Sequence, residues 1–376
     1  MSFQTMRLII ELTLSLHFFI RCRVAFGGGW WQLPVLLWLV IMIVPQTLQG
    51  LDVLPEPVMG ILLKIWPVWA GYLILFLVAA LGLDLLRLLA GLAGAASGHS
   101  WWSSLAAKRA VPAALALSAV IAVYSYYTAY NPSLKHVVFQ TGKLPEDVDS
   151  LRIVQLTDVH LSSLIVHDDL KKMTDLAISA KPDILVVTGD LVDTDMRGRD
   201  SEAALLAAVK PRYGSYAVMG NHEYYRGVEN SLGFMEKAGL NVLRGEGLEA
   251  GGIIVAGVDD EAFRNSLSVE PVRMLRDWYS SGLFVLFLKH RPSPIPGTSG
   301  FYDLQLSGHT HGGQMWPGHI LIKKVNGYLS GLYRDPGGKS FIYTSNGSGF
   351  WGMPLRFLAP PEVTLIELVR KEPEKI

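Results

Sequence analysis

Two histidines separated by one residue mark the stretch of the sequence that is best suited to bind metal ions. They are His309 and His311, within the glycine-flanked segment Gly308–Gly313. Alternate residues of an extended backbone point to the same side, so these two imidazoles can reach neighbouring cations. The flanking glycines let the backbone bend without steric clashes. A metal site needs more ligands than this loop contains, so other segments must supply them.

Four polar clusters upstream contain the carboxylates, amide and histidines that such a site needs. Each cluster follows a run of apolar residues with the length of a strand. Buried strands deliver the side chains at their ends to a common rim of the sheet, so we expect the clusters to meet there. The clusters contain Asp158 and His160, Asp190 and Asp193, Asn221 with His222 and Glu223, and His290 with Arg291.

The ligand types indicate which metals and which reaction the site would support. Asp, Asn and His without Cys suit two borderline divalent ions such as Mn, Zn or Fe. One carboxylate must bridge the ions, and Asp190, on a turn preceded by glycine, is the natural candidate. Two cations lower the pKa of bound water, so a bridging hydroxide can attack a phosphoryl group whose charge the cations neutralise.

A single cluster of this kind has an ordinary structural explanation. An isolated Asp-x-His or Gly-Asn-His is usually a turn or a helix cap. Five clusters in order, each at the end of a predicted strand, are hard to explain in that way. The set as a whole therefore favours a metal site.

Composition divides the 376-residue chain into two regions. Lys plus Arg equals Asp plus Glu at 33 each, so no net charge indicates nucleic acid as a partner. Cys22 is the only cysteine, which leaves neither an internal disulfide nor a cysteine nucleophile. Residues 1–130 contain only seven Lys or Arg and four Asp or Glu. We predict a transmembrane helical region over residues 1–130, a linker with the first strand over 131–150, and a catalytic domain over 151–370.

Three uncharged segments of the first region are long enough to cross a membrane. A spanning helix needs ~20 predominantly apolar residues. We predict such spans at about residues 30–48, 65–83 and 110–130. Residues 8–20 are fewer and include Glu11 and His17, so this segment is a further span, an interfacial helix or a start-transfer signal.

Charged residues in the short loops predict the orientation of the spans. Loops rich in Lys and Arg stay in the cytoplasm. Arg21 and Arg23 precede the first span, and the loop after the second contains Arg87, Lys108 and Arg109. These loops predict a multi-pass integral membrane protein whose catalytic domain is extracytoplasmic.

The remainder of the chain has the pattern of an α/β fold. From residue 131, apolar strands alternate with helical stretches at residues 168–180, 201–209 and 229–238. After about residue 250 strands dominate, and a single helix over residues 271–279 interrupts them.

The five clusters resemble, in order, the motifs of the calcineurin-like metallophosphoesterase superfamily. The resemblance covers roughly residues 150–370 and implies a four-layer α/β/β/α sandwich with a dinuclear site at the rim of its two sheets. The ligands that it implies are Asp158, His160 and His311 for one ion, Asn221, His290 and His309 for the other, and Asp190 as the bridge.

The same resemblance implies roles for two further residues. His222 would be the proton donor, and Asp193 would orient it. Gly312-Gly313-Gln314 and Pro354-Leu355-Arg356 resemble the branch of the superfamily whose members are membrane-anchored or exported.

We therefore predict a membrane-anchored phosphoesterase that depends on two divalent metal ions. A nucleotide-lipid or phospholipid pyrophosphatase or phosphodiesterase is an alternative, which the membrane anchor would favour. A transporter or scaffold with an accessory hydrolase domain agrees less well with a complete ligand set and a nearly uncharged helical region. Trp351, in a glycine-rich loop, either packs against the C-terminal loops or forms an apolar wall for a hydrophobic leaving group.

Overall fold

The computed structural model describes residues 3–47, 56–97, 107–261 and 270–371. The chain forms two compact units. One unit comprises Met1–Tyr127 with Gly352–Leu355, and the other comprises Thr128–Trp351 with Arg356–Ile376.

The first unit is helical. Its helices are α1 (Phe3–Phe26), α2 (Gln32–Thr47), α3 (Glu56–Ser97) and α4 (Ala107–Ala129). Two segments of the described residues are long and apolar enough to cross a membrane. These segments, Val58–Ala96 and Arg109–Ala129, include or overlap the spans predicted at residues 65–83 and 110–130.

The helices of the first unit and the predicted spans differ in their limits. The span predicted at residues 30–48 overlaps α2, which the structure describes over Gln32–Thr47. Helix α3 continues through Lys64 and Asp84, the expected limits of the second span, because its apolar sequence extends to residue 96. Residues 8–20 lie within α1, a helix of 24 residues. Residue 48 and parts of the loops used to predict orientation, at 48–55 and 98–106, lie outside the described residues.

Aromatic and charged side chains connect α1 to α3. The Phe18 ring centroid lies 4.9 Å from that of Phe76 and 5.5 Å from that of Trp69. Asp84 forms ion pairs with Arg21 of α1 and Arg87 of its own helix. The Asp84 carboxylate therefore partly neutralises the charges of these two arginines.

Two six-stranded sheets form the centre of the second unit. The strands of the first sheet, in spatial order, are β1 (Ser133–Thr141), β12 (Glu362–Arg370), β2 (Ser150–Leu156), β3 (Ile184–Thr188), β4 (Ser215–Val218) and β5 (Asn241–Val242). Those of the second are β10 (Gly331–Arg334), β11 (Phe341–Thr344), β9 (Leu304–Ser307), β8 (Val285–Leu288), β7 (Ile253–Gly257) and β6 (Glu246–Ala250).

Three hydrophobic cores separate four layers. Residues of both sheets, such as Val186 and Leu286, form the core between the sheets. Helices α5 (His167–Ser179), α6 (Asp200–Ala207) and α8 (Val228–Lys237) pack on the outer side of the first sheet. Helix α9 (Pro271–Tyr279) packs on the outer side of the second. The predicted four-layer α/β/β/α sandwich is confirmed.

Parallel pairing brings the ends of the central strands to one edge of each sheet. Strand β3 pairs in parallel with β2 and β4, and β8 pairs in parallel with β7 and β9. Every residue of β3 and β8 is buried, as expected for strands that are covered on both faces. The predicted polar clusters follow these strands and are therefore delivered to a common rim.

Candidate metal centre

The predicted ligands lie in loops that follow the central strands. Asp158, Asp190, Asn221, His290 and His309 follow β2, β3, β4, β8 and β9, respectively. Asn221 also begins the short helix α7 (Asn221–Tyr225), and His311 begins a 3-10 helix (His311–Gly313).

One group of buried side chains combines Asp158, His160 and His311. His160 Nε2 lies 3.1 Å from His311 Nε2, and His311 Nε2 lies 3.4 Å from Asp158 Oδ1. The backbone N–H of His309 donates a hydrogen bond of 2.9 Å to Asp158 Oδ1 and thereby fixes this carboxylate. Two imidazole nitrogens and a carboxylate oxygen thus converge on one point.

A second group combines Asp190, His290 and His309. His290 Nε2 lies 3.2 Å from Asp190 Oδ2 and 3.2 Å from His309 Nδ1. His290 Nδ1 lies 2.9 Å from the carbonyl oxygen of Thr188, and this hydrogen bond holds Nε2 toward the other two side chains. Hydrogen bonds of this kind orient histidine ligands in metal sites.

Asp190 faces both groups. Its Oδ2 atom, 3.2 Å from His290 Nε2, is also 3.8 Å from His160 Nε2 of the first group. Its Oδ1 atom accepts a hydrogen bond of 2.9 Å from the backbone N–H of His222. One carboxylate oxygen therefore lies between the two sets of donors.

A third cluster places His222 beside Asp193. The Nδ1 atom of His222 donates a hydrogen bond of 2.9 Å to Asp193 Oδ1, which also accepts from Arg226 Nε at 2.9 Å. Burial lowers the pKa of the His222 imidazole, but the Asp193 hydrogen bond and the Asp190 charge outweigh burial and raise this pKa above its usual value. The arrangement favours a protonated imidazole.

The histidines of the two ligand groups have opposite protonation tendencies. Burial lowers the pKa values of His309 and His311, and the positive charges of His290 and Arg356, respectively, lower them further. These imidazoles are therefore neutral and offer lone pairs. Burial also acts on His290, but the Asp190 and Asp158 carboxylates outweigh it and raise the pKa of His290 to about 10.

The backbone of the site is locally strained. Five of the seven predicted ligands have φ angles between 51° and 69°, in the left-handed region that side chains other than glycine rarely adopt. Each such residue costs about 1–3 kcal/mol, and such strain clusters at functional sites. The five residues are Asp158, His160, Asp190, His309 and His311.

Two glycines leave space that the carboxylates occupy. A Cβ atom at Gly220 would lie 2.2 Å from Asp190 Oδ1, and one at Gly308 would lie 2.0 Å from Asp158 Oδ2. Any side chain at either position would displace a predicted ligand.

Glu223, for which the sequence pattern indicates no role in the metal site, connects two loops of this site. Its buried carboxylate accepts hydrogen bonds from the backbone N–H groups of Asp190, Leu191, Val192 and Gly220, at 2.7–3.0 Å. These bonds tie the loop after β3 to the loop after β4. The sequence signal was its position three residues after Gly220, which is typical of a capping residue.

Two arginines also have clear partners. The fully buried Arg356 donates hydrogen bonds to the carbonyl oxygens of His311 and Gly349, and thereby braces the loop that contains His311. Arg291 Nε lies 2.7 Å from Asp260 Oδ2, so this side chain forms a salt bridge.

Exposed aromatic rings flank His222. Its ring centroid lies 5.4 Å from that of Tyr225 and 5.9 Å from that of Trp351. Trp351 is 43% exposed and Tyr225 is 62% exposed, whereas the neighbouring Phe350 is buried in the core. Trp351 therefore lies beside the candidate proton donor and outside the packed core.

Comparison with known proteins agrees with this geometry. The sequence model of the family described as calcineurin-like phosphoesterase matches residues 151–313. An uncharacterized metallophosphoesterase of Aquifex aeolicus is 36% identical over 237 residues, which are 62% of this chain and 90% of that protein. The chain belongs to the calcineurin-like phosphoesterase family. It is therefore a phosphoesterase hydrolase, and its family implies divalent metal ions.

Other relatives are longer than the matched region. An uncharacterized metallophosphoesterase of Helicobacter pylori is 36% identical over 244 residues, 64% of this chain and 65% of that protein. A Danio rerio protein named transmembrane protein with metallophosphoesterase domain is 32% identical over 261 residues, 64% of this chain and 58% of that protein. Among solved structures, a dimetal phosphatase from Danio rerio is 12% identical with a TM-score of 0.38, and the match covers 59% of this chain and 93% of that one.

Proposed function

We propose that the chain is a membrane-anchored phosphoesterase whose two groups of ligands hold two divalent cations that share Asp190. The position of Asp190 Oδ2, 3.2 Å from His290 Nε2 and 3.8 Å from His160 Nε2, carries this proposal. A carboxylate between two sets of imidazole nitrogens is the arrangement that a bridged pair of cations requires.

The donor atoms fit such cations. Among the described residues, the buried Asn221 Oδ1 atom has no hydrogen-bond partner. An unpartnered buried oxygen costs free energy unless a ligand satisfies it, and a cation beside Asn221 Oδ1 would do so. Imidazoles and carboxylates without cysteine suit Mn, Zn or Fe, and binding of a cation would displace the proton of His290. We assign Asp158, His160 and His311 to one cation, Asn221, His290 and His309 to the other, and Asp190 to both.

Two bound cations would lower the pKa of a water molecule and neutralise the charge that develops on the phosphoryl oxygens. The role of the protein is to fix the donors and to supply a proton. His222 holds that proton on Nε2, because Nδ1 donates to Asp193. The proton passes to the oxygen of the leaving group, and Asp193 and Arg226 keep the imidazole in place.

The surroundings of His222 support one substrate class as an alternative. A nucleotide-lipid or phospholipid pyrophosphatase or phosphodiesterase is the second candidate function. The half-exposed rings of Trp351 and Tyr225, both within 6 Å of the His222 ring, favour it. They would form an apolar wall beside the departing group.

Membrane anchoring rests on the helical unit and on relatives. The two apolar segments Val58–Ala96 and Arg109–Ala129 are long enough to span a bilayer, and two relatives are named transmembrane proteins. We call the second unit, which contains the candidate metal centre, the catalytic unit. We propose a multi-pass anchor with this catalytic unit outside the cytoplasm. A reporter fused after Ile376 tests this orientation. Alkaline phosphatase fused at this position should be active. If only a fluorescent protein that folds in the cytoplasm gives a signal there, the proposed orientation is wrong.

A substrate panel tests the proposed reaction. The full chain in detergent, supplied with Mn, should hydrolyse at least one of a monoester, a diester and a pyrophosphate, and a chelator should abolish turnover. Glu249→Gln, at an exposed position of β6, serves as a control for substitution. Turnover that persists after complete removal of metal would contradict the proposal.

A further inference from the structure

Helix α10 (Gly318–Asn326) is a helix of the catalytic unit without a buried residue. Ile320, Leu321 and Val325 are 61%, 64% and 72% exposed. By contrast, α8 buries Phe234 and Met235 in the core. An isolated helix of nine residues is marginal in water, and most helices gain their stability from a packed apolar face. The face of α10 therefore lacks, within the described structure, the packing that would stabilise it.

The side chains of α10 have the arrangement of an interfacial helix. Leu321 and Val325 are four residues apart and share a face. Lys323 and Lys324 are exposed and lie between them in sequence. Trp316, 41% exposed, immediately precedes the helix. We call Trp316, Ile320, Leu321, Lys323, Lys324 and Val325 the α10 surface. Exposed apolar side chains on a short helix that also presents lysines and follows a tryptophan are typical of helices that lie in a lipid headgroup region.

The charged side chains of the segment that contains α10 have one sign. Between Asp303 and Asp335 the sequence contains no carboxylate residue, whereas it contains Lys323, Lys324 and Arg334. A surface of this charge is complementary to anionic lipids, which attract basic residues near a bilayer. The same absence of carboxylates disfavours a basic protein partner.

We propose that the α10 surface docks on an anionic lipid bilayer. The same chain contains the apolar segments Val58–Ala96 and Arg109–Ala129, so a bilayer is the partner that would always be within reach of the catalytic unit. This inference goes beyond the proposed reaction, and it rests on the proposed membrane anchor.

Docking would act directly on the loop that contains the two closely spaced histidines. A Cβ atom at Gly313 would lie 2.3 Å from the Cα atom of His319, so the first turn of α10 packs on this loop. The Thr310 hydroxyl donates a hydrogen bond to the Leu329 carbonyl oxygen, which lies just beyond the end of the helix. A docked α10 would therefore fix the His309–His311 loop next to lipid headgroups.

Fluorophore quenching in nanodiscs tests the docking. The full chain carries a polarity-sensitive fluorophore at Val325→Cys, or at Ile178→Cys on α5 as the matched control, since Ile178 is also exposed and apolar. The native Cys22 is buried, and the unsubstituted chain measures any labelling there. The discs contain either phosphatidylcholine or an equal mixture of phosphatidylcholine and phosphatidylglycerol, with a nitroxide-labelled lipid as the quencher.

In anionic discs we expect loss of fluorescence from the Val325 label and little loss from the Ile178 label. Lys323→Glu together with Lys324→Glu should restore the Val325 fluorescence, because the electrostatic attraction is removed. Equal quenching at both positions, or none at Val325, would overturn the proposal. Disulfide cross-linking of two Val325→Cys chains without lipid quenching would overturn it as well, and would assign the surface to a second copy.

Discussion

The buried Glu223 carboxylate accepts a hydrogen bond of 2.9 Å from the backbone N–H of Asp190. Its two oxygens also accept from Leu191, Val192 and Gly220. Glu223 therefore holds in place the loop that contains the proposed bridging ligand. The left-handed backbone of Asp190, with φ of 53°, is held by these bonds against its intrinsic preference.

Glu223→Gln should loosen this loop. The amide replaces one acceptor oxygen with an NH₂ group, which leaves two buried N–H groups facing a donor. Each unsatisfied buried donor costs about 1–3 kcal/mol. We expect a lower thermal midpoint in detergent and lower metal content. Glu249→Gln, on an exposed part of β6, should change neither quantity. An unchanged midpoint and full metal content in Glu223→Gln would refute this role.

His222→Ala should keep the metal ions and lose rate. His222 is not among the proposed ligands, and its Nε2 atom carries the proton for the leaving oxygen. We expect turnover to fall by ~10²–10⁴-fold, with the largest loss for leaving groups of high pKa. Rates for a nitrophenolate and an alkoxide leaving group measure this difference.

The control for this variant is His136→Ala, which removes an exposed histidine paired with Glu367. It should leave both rates unchanged. An equal loss of rate for both leaving groups in His222→Ala would show that His222 binds the phosphoryl group instead.

Trp351→Ala should change substrate preference. The indole lies 5.9 Å from His222 and is half-exposed, so its removal takes away apolar surface beside the leaving group. We expect slower hydrolysis of a long-chain alkyl phosphoester and an unchanged rate for a short-chain one, whereas Trp351→Phe should retain most of the preference. If Trp351→Ala changes the rates for the long-chain and the short-chain ester by the same factor, the role of Trp351 is purely structural.

Much of the catalytic fold was predictable because its signals are local. Apolar runs such as Ile184–Thr188 indicate buried strands, and the polar residues directly after them mark the rim. Parallel pairing then brings Asp158, Asp190 and Asn221 to one edge, as expected. The proposed role of each ligand came from the resemblance to a family and stays a prediction.

What the sequence did not reveal depends on long-range contacts. Nothing local indicates that Arg356 would reach the carbonyl oxygen of His311, 45 residues away. Helix α10 was not predicted because its nine residues give too few turns for a helical apolar pattern to stand out. Helix α3 is longer than the predicted span at residues 65–83, because the charged Lys64 and Asp84 end the uncharged run of the sequence but do not end the helix.

Metal content of the full chain and of Asp190→Asn tests the central proposal most directly. Asp190 is the only proposed ligand shared by both cations, and asparagine keeps the shape of the side chain without its charge. We expect two divalent ions per wild-type chain, and metal loss with abolished turnover in Asp190→Asn. Asp193→Asn, at a carboxylate that orients His222, should keep both ions. Two tightly bound ions and near-normal turnover in Asp190→Asn would contradict the dinuclear assignment.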